Sequence, residues 1–279
     1  MVNPAFVFLP LYLYPYNSSS WGALTTAVAA NPTLKFQVVI APNLINIFPD
    51  KNYQTALNGL NNYANVQTLG YVPTSWANRD RNAVMADVAC YAAWTNYPAA
   101  NIGVQGIFFD EAPSSLSNNT LDYMTTIAQY AKNTLGSARS HITFNPGVPV
   151  DAKFYNIADT VVIFENTWAE FNYATTLSNL SEDLLAKSTL VLHNFTGTDE
   201  VQADLINNIT DSNVGGLLIT TSDGYTELSG LWKEFCVELA DKNDGGDLPD
   251  GDILPVHRNE TKRFDSYLAS SRLRTKARC

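Results

Sequence analysis

The sequence predicts an α/β fold, a single (β/α)8 TIM-type barrel, and three observations carry that reading. Short apolar runs alternate with amphipathic segments, and eight such runs fall within the first 241 residues. The runs are β-branched or aromatic and nearly continuously apolar, as strands buried on both faces are. Alternation of this kind means parallel strands joined by long crossovers, and eight units in about 240 residues is the size of a closed barrel. An open doubly wound sheet would typically show a Gly-rich phosphate turn after its first strand, and "LYPYNSSSW" offers none.

In order, the strand candidates are "AFVFLPLYLY" (5–14), "FQVVIAP" (36–42), "VQTLGYVPT" (66–74), "VQGIFFDE" (104–111), "HITFNPG" (141–147), "DTVVIFEN" (159–166), "STLVLHNF" (188–195) and "GGLLITTS" (215–222). Helical patterns fill 19–31, 51–64, 80–97, 118–135, 170–186, 199–211 and 224–241. Start signals support several of them: Ser19 and Ser20 before the first, Ser117 with Asn118 before the fourth. The texture changes after 241. "DKNDGGDLPDGD" is polar and rich in Gly and Asp, and residues 256–279 carry seven Lys or Arg against two acids. The expected organisation is therefore a barrel over 1–241 and a mostly disordered linker with a basic tail over 242–279.

Composition narrows the partners. With 27 acids against 17 bases the net charge is −10, which argues against nucleic acid and anionic membranes, since both need a basic face. No run approaches the ~20 apolar residues of a membrane span. Six N-x-[ST] sequons, at Asn17, Asn118, Asn179, Asn194, Asn208 and Asn259, favour a secreted or cell-surface protein, although "MVNPAFVFLPLYLYP" reads as a first strand and shows no leader. Cys90, Cys236 and Cys279 fit no zinc signature, and they read as two buried thiols plus one in the tail. A Cys90–Cys236 bridge is not expected.

Parallel barrels place their chemistry where the strands end. The residues at those ends are Tyr12 and Tyr14, Asn43, Tyr71 and Thr74, Asp110 and Glu111, Asn145, Glu165 and Asn166, His193 and Asn194, and Thr221, Ser222 and Asp223. Asp110, Glu111 and Glu165 each follow directly on an apolar strand, where partial desolvation raises a carboxyl pKa. One protonated acid beside one ionised acid is what glycoside hydrolysis needs. Tyr12, Asn43, Tyr71, Thr74, Asn145, Asn166, His193 and Ser222 are the candidate substrate contacts, and Tyr12, Tyr14, Tyr16, Trp21 and Trp76 are candidate platforms for sugar rings.

Blander readings stand beside these. One acid at a strand end serves as well as a cap or a partner for a loop amide, whereas three acids at one rim fit that explanation poorly. The aromatic residues fit barrel packing equally well, and His193 fits a hydrogen-bonding rim. A metal held by Asp110, Glu111, Glu165 and His193 lacks the usual ligand spacing. No G-x-S-x-G motif supports a serine nucleophile. No metal and no cofactor are expected, and the chain is expected to act as a monomer.

The segments "VFLPLYLYP", "GYVPTSWANR" (70–79), "YAAW" (91–94), "GIFFDEAP" (106–113), "FNPG" (144–147), "ADTVVIFEN" (158–166) and "LLITTSDGY" together resemble the spherulin-4, or spherulation-specific, family, which is grouped with glycoside hydrolase family 135. The resemblance runs in order over roughly 5–240. It implies the same barrel in a secreted or surface enzyme of fungal type, cutting internal α-1,4 linkages of an N-acetylgalactosamine polymer such as galactosaminogalactan. By motif the family's acids fall on Asp110, Glu111 and Glu165. The Gly-rich turn that relatives carry after strand 2 is replaced here by "APNLINIFPDKNY". That departure keeps two alternatives in play: a partly deacetylated hexosamine polymer as substrate, or a non-catalytic carbohydrate-binding surface protein. Within the site, the expected roles are Asp110 as nucleophile or stabiliser, Glu165 as acid/base across the mouth, and Glu111 held beside Asp110 to support it or to orient the substrate, with retention of configuration.

Overall fold

The computed structural model describes residues 4–245. Its eight strands are β1 (Phe6–Leu11), β2 (Phe36–Ile40), β3 (Val66–Pro73), β4 (Gly106–Asp110), β5 (His141–Phe144), β6 (Thr160–Thr167), β7 (Ser188–His193) and β8 (Gly216–Ile219). All pairings are parallel, and β8 returns to β1 to close the barrel in sequence order. The expected fold class is the one observed. Helices α1 (Gly22–Ala30), α2 (Lys51–Leu60), α3 (Arg81–Ala93) and α4 (Asn118–Leu135) follow the first four strands. Single turns α5 (Ala152–Tyr155), α6 (Tyr173–Thr176) and α7 (Glu182–Leu185) serve the next two, and α8 (Asp199–Asp211) and α9 (Trp232–Asn243) complete the shell.

Caps explain several starts. Asp50 accepts from the amides of Asn52 and Tyr53, and Asp80 from that of Ala83. Ser117 and Thr120 form a reciprocal capping box at α4. The segment 170–186, expected as one helix, divides into α6 and α7. Ser178, Asn179 and Ser181 lie at the break, residue types that compete locally with helical hydrogen bonding. The last helix begins at Trp232 and not near 224, because 220–231 forms a loop over the barrel mouth. It ends at Asn243, past the expected boundary at 241. The Asn243 side chain accepts from the Ala5 amide at 2.9 Å and donates to the Ala5 carbonyl at 2.8 Å, tying the last helix to the first strand. The remaining tail, with Asn259 and Cys279, lies outside the described residues. Cys236 is a buried free thiol, but Cys90 is disulfide-bonded and so corrects the expectation of two free thiols.

Register decides which side chains enter the barrel. Val7 to Leu11 pair with Phe36 to Ile40 in step, and the rows continue through β3, β4 and β5. Partners in one row share a face, and alternate residues share a side. The inward set low in the barrel includes Gln37 and His141, whose side-chain nitrogens lie 3.2 Å apart, and Thr143 and Thr160, hydroxyl to hydroxyl at 2.7 Å. Higher up it includes Phe8 and Phe108, with ring centroids 5.6 Å apart. Gly106 admits no side chain, since a Cβ there would lie 2.2 Å from the His141 carbonyl. In β6 the register slips between Val162 and Phe164: Val162 pairs with Thr189 and Glu165 with Val191. This bulge inserts one residue, so Val162 and Glu165 point to the same side although three positions separate them. Strict alternation would have turned Glu165 away from the barrel axis.

Candidate active site

Asp110 ends β4 opposite Pro73, on the same inward side as the Tyr71–Phe108 pair below it. Glu165 enters from β6 by way of the bulge. Between them stands Asn145, one residue beyond β5 and 6% exposed. Its amide nitrogen donates to Asp110 Oδ1 at 2.7 Å and, through a very short bond, to Glu165 Oε2. One nitrogen thus bridges two carboxylates. Their facing oxygens lie closer than two hydrogen-bond lengths, about 6 Å. The Tyr71 hydroxyl donates to Asp110 Oδ2 at 2.8 Å, and the Tyr225 hydroxyl donates to Glu165 Oε1 at 2.5 Å. Tyr12 packs edge-on to both tyrosines, at 5.6 and 5.5 Å between ring centroids. Three phenols and one amide therefore enclose the acid pair.

Charge is unbalanced in this enclosure. Burial, and then the Glu165 carboxylate, push the Asp110 pKa up from 3.8 to about 6, against the pull of its donors Tyr71, the Glu111 amide and Asn145. Burial also raises the phenol pKa values of Tyr12 and Tyr71, with Asp110 next in effect, and that of Tyr225, with Glu165 next. All three phenols keep their protons and remain donors.

Glu111 lies just past the strand with φ of 50°, a left-handed conformation uncommon for a residue with a side chain. Alternation no longer applies there, so Glu111 is not turned to the barrel exterior. Its Oε2 accepts from Ser75 Oγ at 3.3 Å. Its carbonyl accepts from the Trp76 amide and from Thr74 Oγ1, both at 2.7 Å. Ser75, Trp76 and Ala77 are themselves left-handed, so two strained segments brace each other directly beside Asp110.

Other residues expected to meet substrate are placed differently. Thr74 is fully buried and gives its hydroxyl to the carbonyls of Asp110 and Glu111. It holds the strand end and contacts no cleft. Asn166 follows Glu165 in an alternating strand, so it faces outward, where its Oδ1 accepts from the Thr167 amide. Asn43 is exposed on the β2–α2 loop, with no hydrogen bond to the acid pair. His193 faces inward at the top of β7, its Nδ1 3.6 Å from Asp223 Oδ1, and burial lowers its pKa while Asp223 opposes the shift. Ser222 is 9% exposed within the β8–α9 loop. Trp21 is buried with its indole N–H on the Leu13 carbonyl, which makes it packing and no platform. Among the described residues, no group of three His, Cys, Asp or Glu is arranged to hold a metal ion.

The model of spherulation-specific family 4 matches residues 6–239. This chain belongs to that family. Spherulin-4 of Physarum polycephalum is 35% identical over 177 residues, which is 62% of this chain and 49% of the relative, so the match spans about half of that protein's length. The crystal structure of Aspergillus clavatus Sph3 in complex with GalNAc is similar over 85% of this chain and 98% of that one, with a TM-score of 0.78 and 29% identity. A Bacteroides thetaiotaomicron chitinase shares the fold alone, with a TM-score of 0.55 at 8% identity over 88% of this chain and all of that one. In this barrel the residue missed by sequence reading is Tyr225. Its segment, "LLITTSDGY", is among those that carry the resemblance, but the helical pattern from 224 onward assigns the tyrosine to a helix face.

Proposed function

We propose that this protein is a glycoside hydrolase cutting internal α-1,4 linkages in an N-acetylgalactosamine-containing polysaccharide, outside the cell or at its surface. The observation that carries the proposal is the acid pair, Asp110 and Glu165, bridged by the single amide nitrogen of Asn145 at the C-terminal mouth of the barrel. The likeness to a family member that binds GalNAc supports the substrate class. Exposed sequon asparagines at 17, 118, 179 and 208 fit a secreted chain.

Carboxyl groups held within about 6 Å favour retention of configuration, since inverting pairs stand ~6.5–9.5 Å apart. In an α-linked 2-acetamido sugar the acetamide is cis to the leaving group. It cannot attack from the opposite face, so the nucleophile falls to the protein. The raised pKa of Asp110 supports an exchange of the roles expected from sequence. Asp110 is the proton holder, and Glu165, steadied by Tyr225 and Asn145, is the nucleophile. Glu165 attacks the anomeric carbon while Asp110 gives its proton to the departing glycosidic oxygen. Asp110, now ionised, takes a proton from water, which attacks the same carbon and frees Glu165. Glu111, fixed by Ser75 at the rim, orients the sugar.

The test is a reducing-end assay on α-1,4-linked N-acetylgalactosamine polymer with wild type, Asp110→Asn, Glu165→Gln and Glu111→Gln. The expected losses are roughly 10³-fold or more for the first two and smaller for the third. Absence of cleavage by wild type refutes the activity. Near wild-type rates in Asp110→Asn and Glu165→Gln refute the site. The roles separate on an oligosaccharide with an activated aryl leaving group: Asp110→Ala, which lacks the acid of the first step and the base of the second, still releases the aryl alcohol in a first-turnover burst, and Glu165→Ala releases none.

A further inference from the structure

Seven large apolar side chains are conspicuously exposed among the described residues. Six of them, Tyr16, Ile45, Ile47, Trp76, Leu116 and Val148, lie on the loops following β1 to β5, around the mouth. The densest group is Tyr16 at 75%, Ile45 at 60% and Ile47 at 54% exposure. Their backbone is clamped from below. The Ile47 carbonyl accepts from the fully buried Trp94 indole at 2.8 Å, and the Pro49 carbonyl accepts from Gln54 at 2.7 Å. Phe48 packs on Tyr97 with centroids 4.9 Å apart. Tyr16 rests edge-on against Tyr14 at 4.7 Å, and Tyr14 against Tyr53 of α2 at 5.5 Å. Asn52 donates to the Tyr14 hydroxyl at 3.1 Å, stitching the two loops together. The isoleucines are thus held in water by a fixed backbone, and apolar exposure of this kind on a functional face marks a binding surface.

Two further features name the occupant. Tyr12 stands in the acid enclosure, and Tyr14 and Tyr16 follow it on the loop leaving β1, so the patch lies on the same mouth of the barrel as the acid pair. Residues 12–21 and 41–49 contain no charged side chain, while aromatic, aliphatic, Asn and Ser groups abound. That chemistry suits the C–H face, acetyl methyl and hydroxyls of a neutral sugar. We propose that Tyr14, Tyr16, Ile45 and Ile47 form a distal subsite that binds a neutral N-acetylhexosamine unit of the same chain, away from the bond that is cut. This rests on the hydrolase reading above.

The experiment measures kcat/KM on α-1,4-linked N-acetylgalactosamine oligomers from dimer to octamer, for wild type and for the triple variant Tyr16→Ser, Ile45→Ser, Ile47→Ser. All three positions are exposed, so the fold is retained. Wild-type kcat/KM rises with chain length. The variant flattens that rise, losing roughly tenfold on the octamer through KM while staying within about twofold on the shortest oligomer cut. An unchanged length dependence overturns the subsite and leaves the proposed function standing. No cleavage of any oligomer by wild type overturns the function itself, and the subsite with it.

Discussion

Asp110→Asn should stabilise the fold at neutral pH while removing activity. The carboxyl pKa rises from 3.8 to about 6 on folding, so the folded state binds the proton more tightly than the unfolded chain. Between those two values the folded state holds the extra proton, and stability therefore falls as pH rises through the window. Above about pH 7 the full cost is present: a little over two units at 1.36 kcal/mol each, about 3 kcal/mol. Asparagine removes the charge and keeps the geometry. Its oxygen accepts from Asn145, and its nitrogen donates to the Tyr71 hydroxyl. For a domain of this size about 3 kcal/mol corresponds to roughly 6–12 °C in Tm. Thermal melts of both proteins from pH 4 to pH 8 give the result. The variant melts higher at pH 7.5, and the gap closes toward pH 4. A gap that is constant with pH, or a variant less stable at pH 7.5, would refute the assignment of the raised pKa to Asp110.

Three more outcomes follow from the same geometry. Tyr225→Phe removes one donor from Glu165, and kcat should drop roughly 10–10²-fold with little change in Tm. Asn145→Leu takes a donor from both carboxylates, raises the Asp110 pKa further, and should move upward the alkaline limb of the kcat/KM–pH profile, where the acid loses its proton; an unmoved limb would show that Asn145 only packs. Gly106→Ala sets a Cβ 2.2 Å from the His141 carbonyl, so the strands must part, at a cost on the order of 3 kcal/mol or more read by denaturant unfolding.

The barrel was legible because its strands are apolar on both faces. Phe36–Ile40 and Leu190–Leu192 need no partner in view to read as buried. The break at Ser178–Ser181 was hidden by leucines at 177, 180, 184 and 185, which keep a helical period across residues that end the helix. At the mouth, Asp110 and Glu165 showed themselves as acids on apolar strands, and the end of each strand could be read. Their facing could not. It depends on the bulge at Ile163, and nothing in "TVVIFENT" marks where an extra residue enters. Thr74 and Asn166 illustrate the same limit from the other side: both are polar and stand at strand ends, but one is turned into the backbone and the other outward. Tyr225 depends on a loop folding back over the barrel, which periodicity reported as helix.

The acid pair also explains why, among the described residues, no base stands beside it. A Lys or Arg beside Asp110 and Glu165 would satisfy both charges and hold both carboxyls ionised, leaving no proton to give. The one base in the βα loops from 74 to 80, Arg79, is instead spent on Asp87 at 2.6 Å and on the Pro73 carbonyl. Tyr71, Tyr225 and Asn145 supply hydrogen bonds without charge, enough to fix the oxygens but too little to cancel the repulsion. One carboxyl therefore holds its proton above the ordinary carboxylate range, and it is Asp110, pushed up to about 6 by burial and by Glu165. In the proposed reaction this instability would be the counterpart of reactivity, because the repulsion that lifts the pKa of Asp110 would be relieved when its proton passes to the leaving oxygen and the charge of Glu165 passes into a bond.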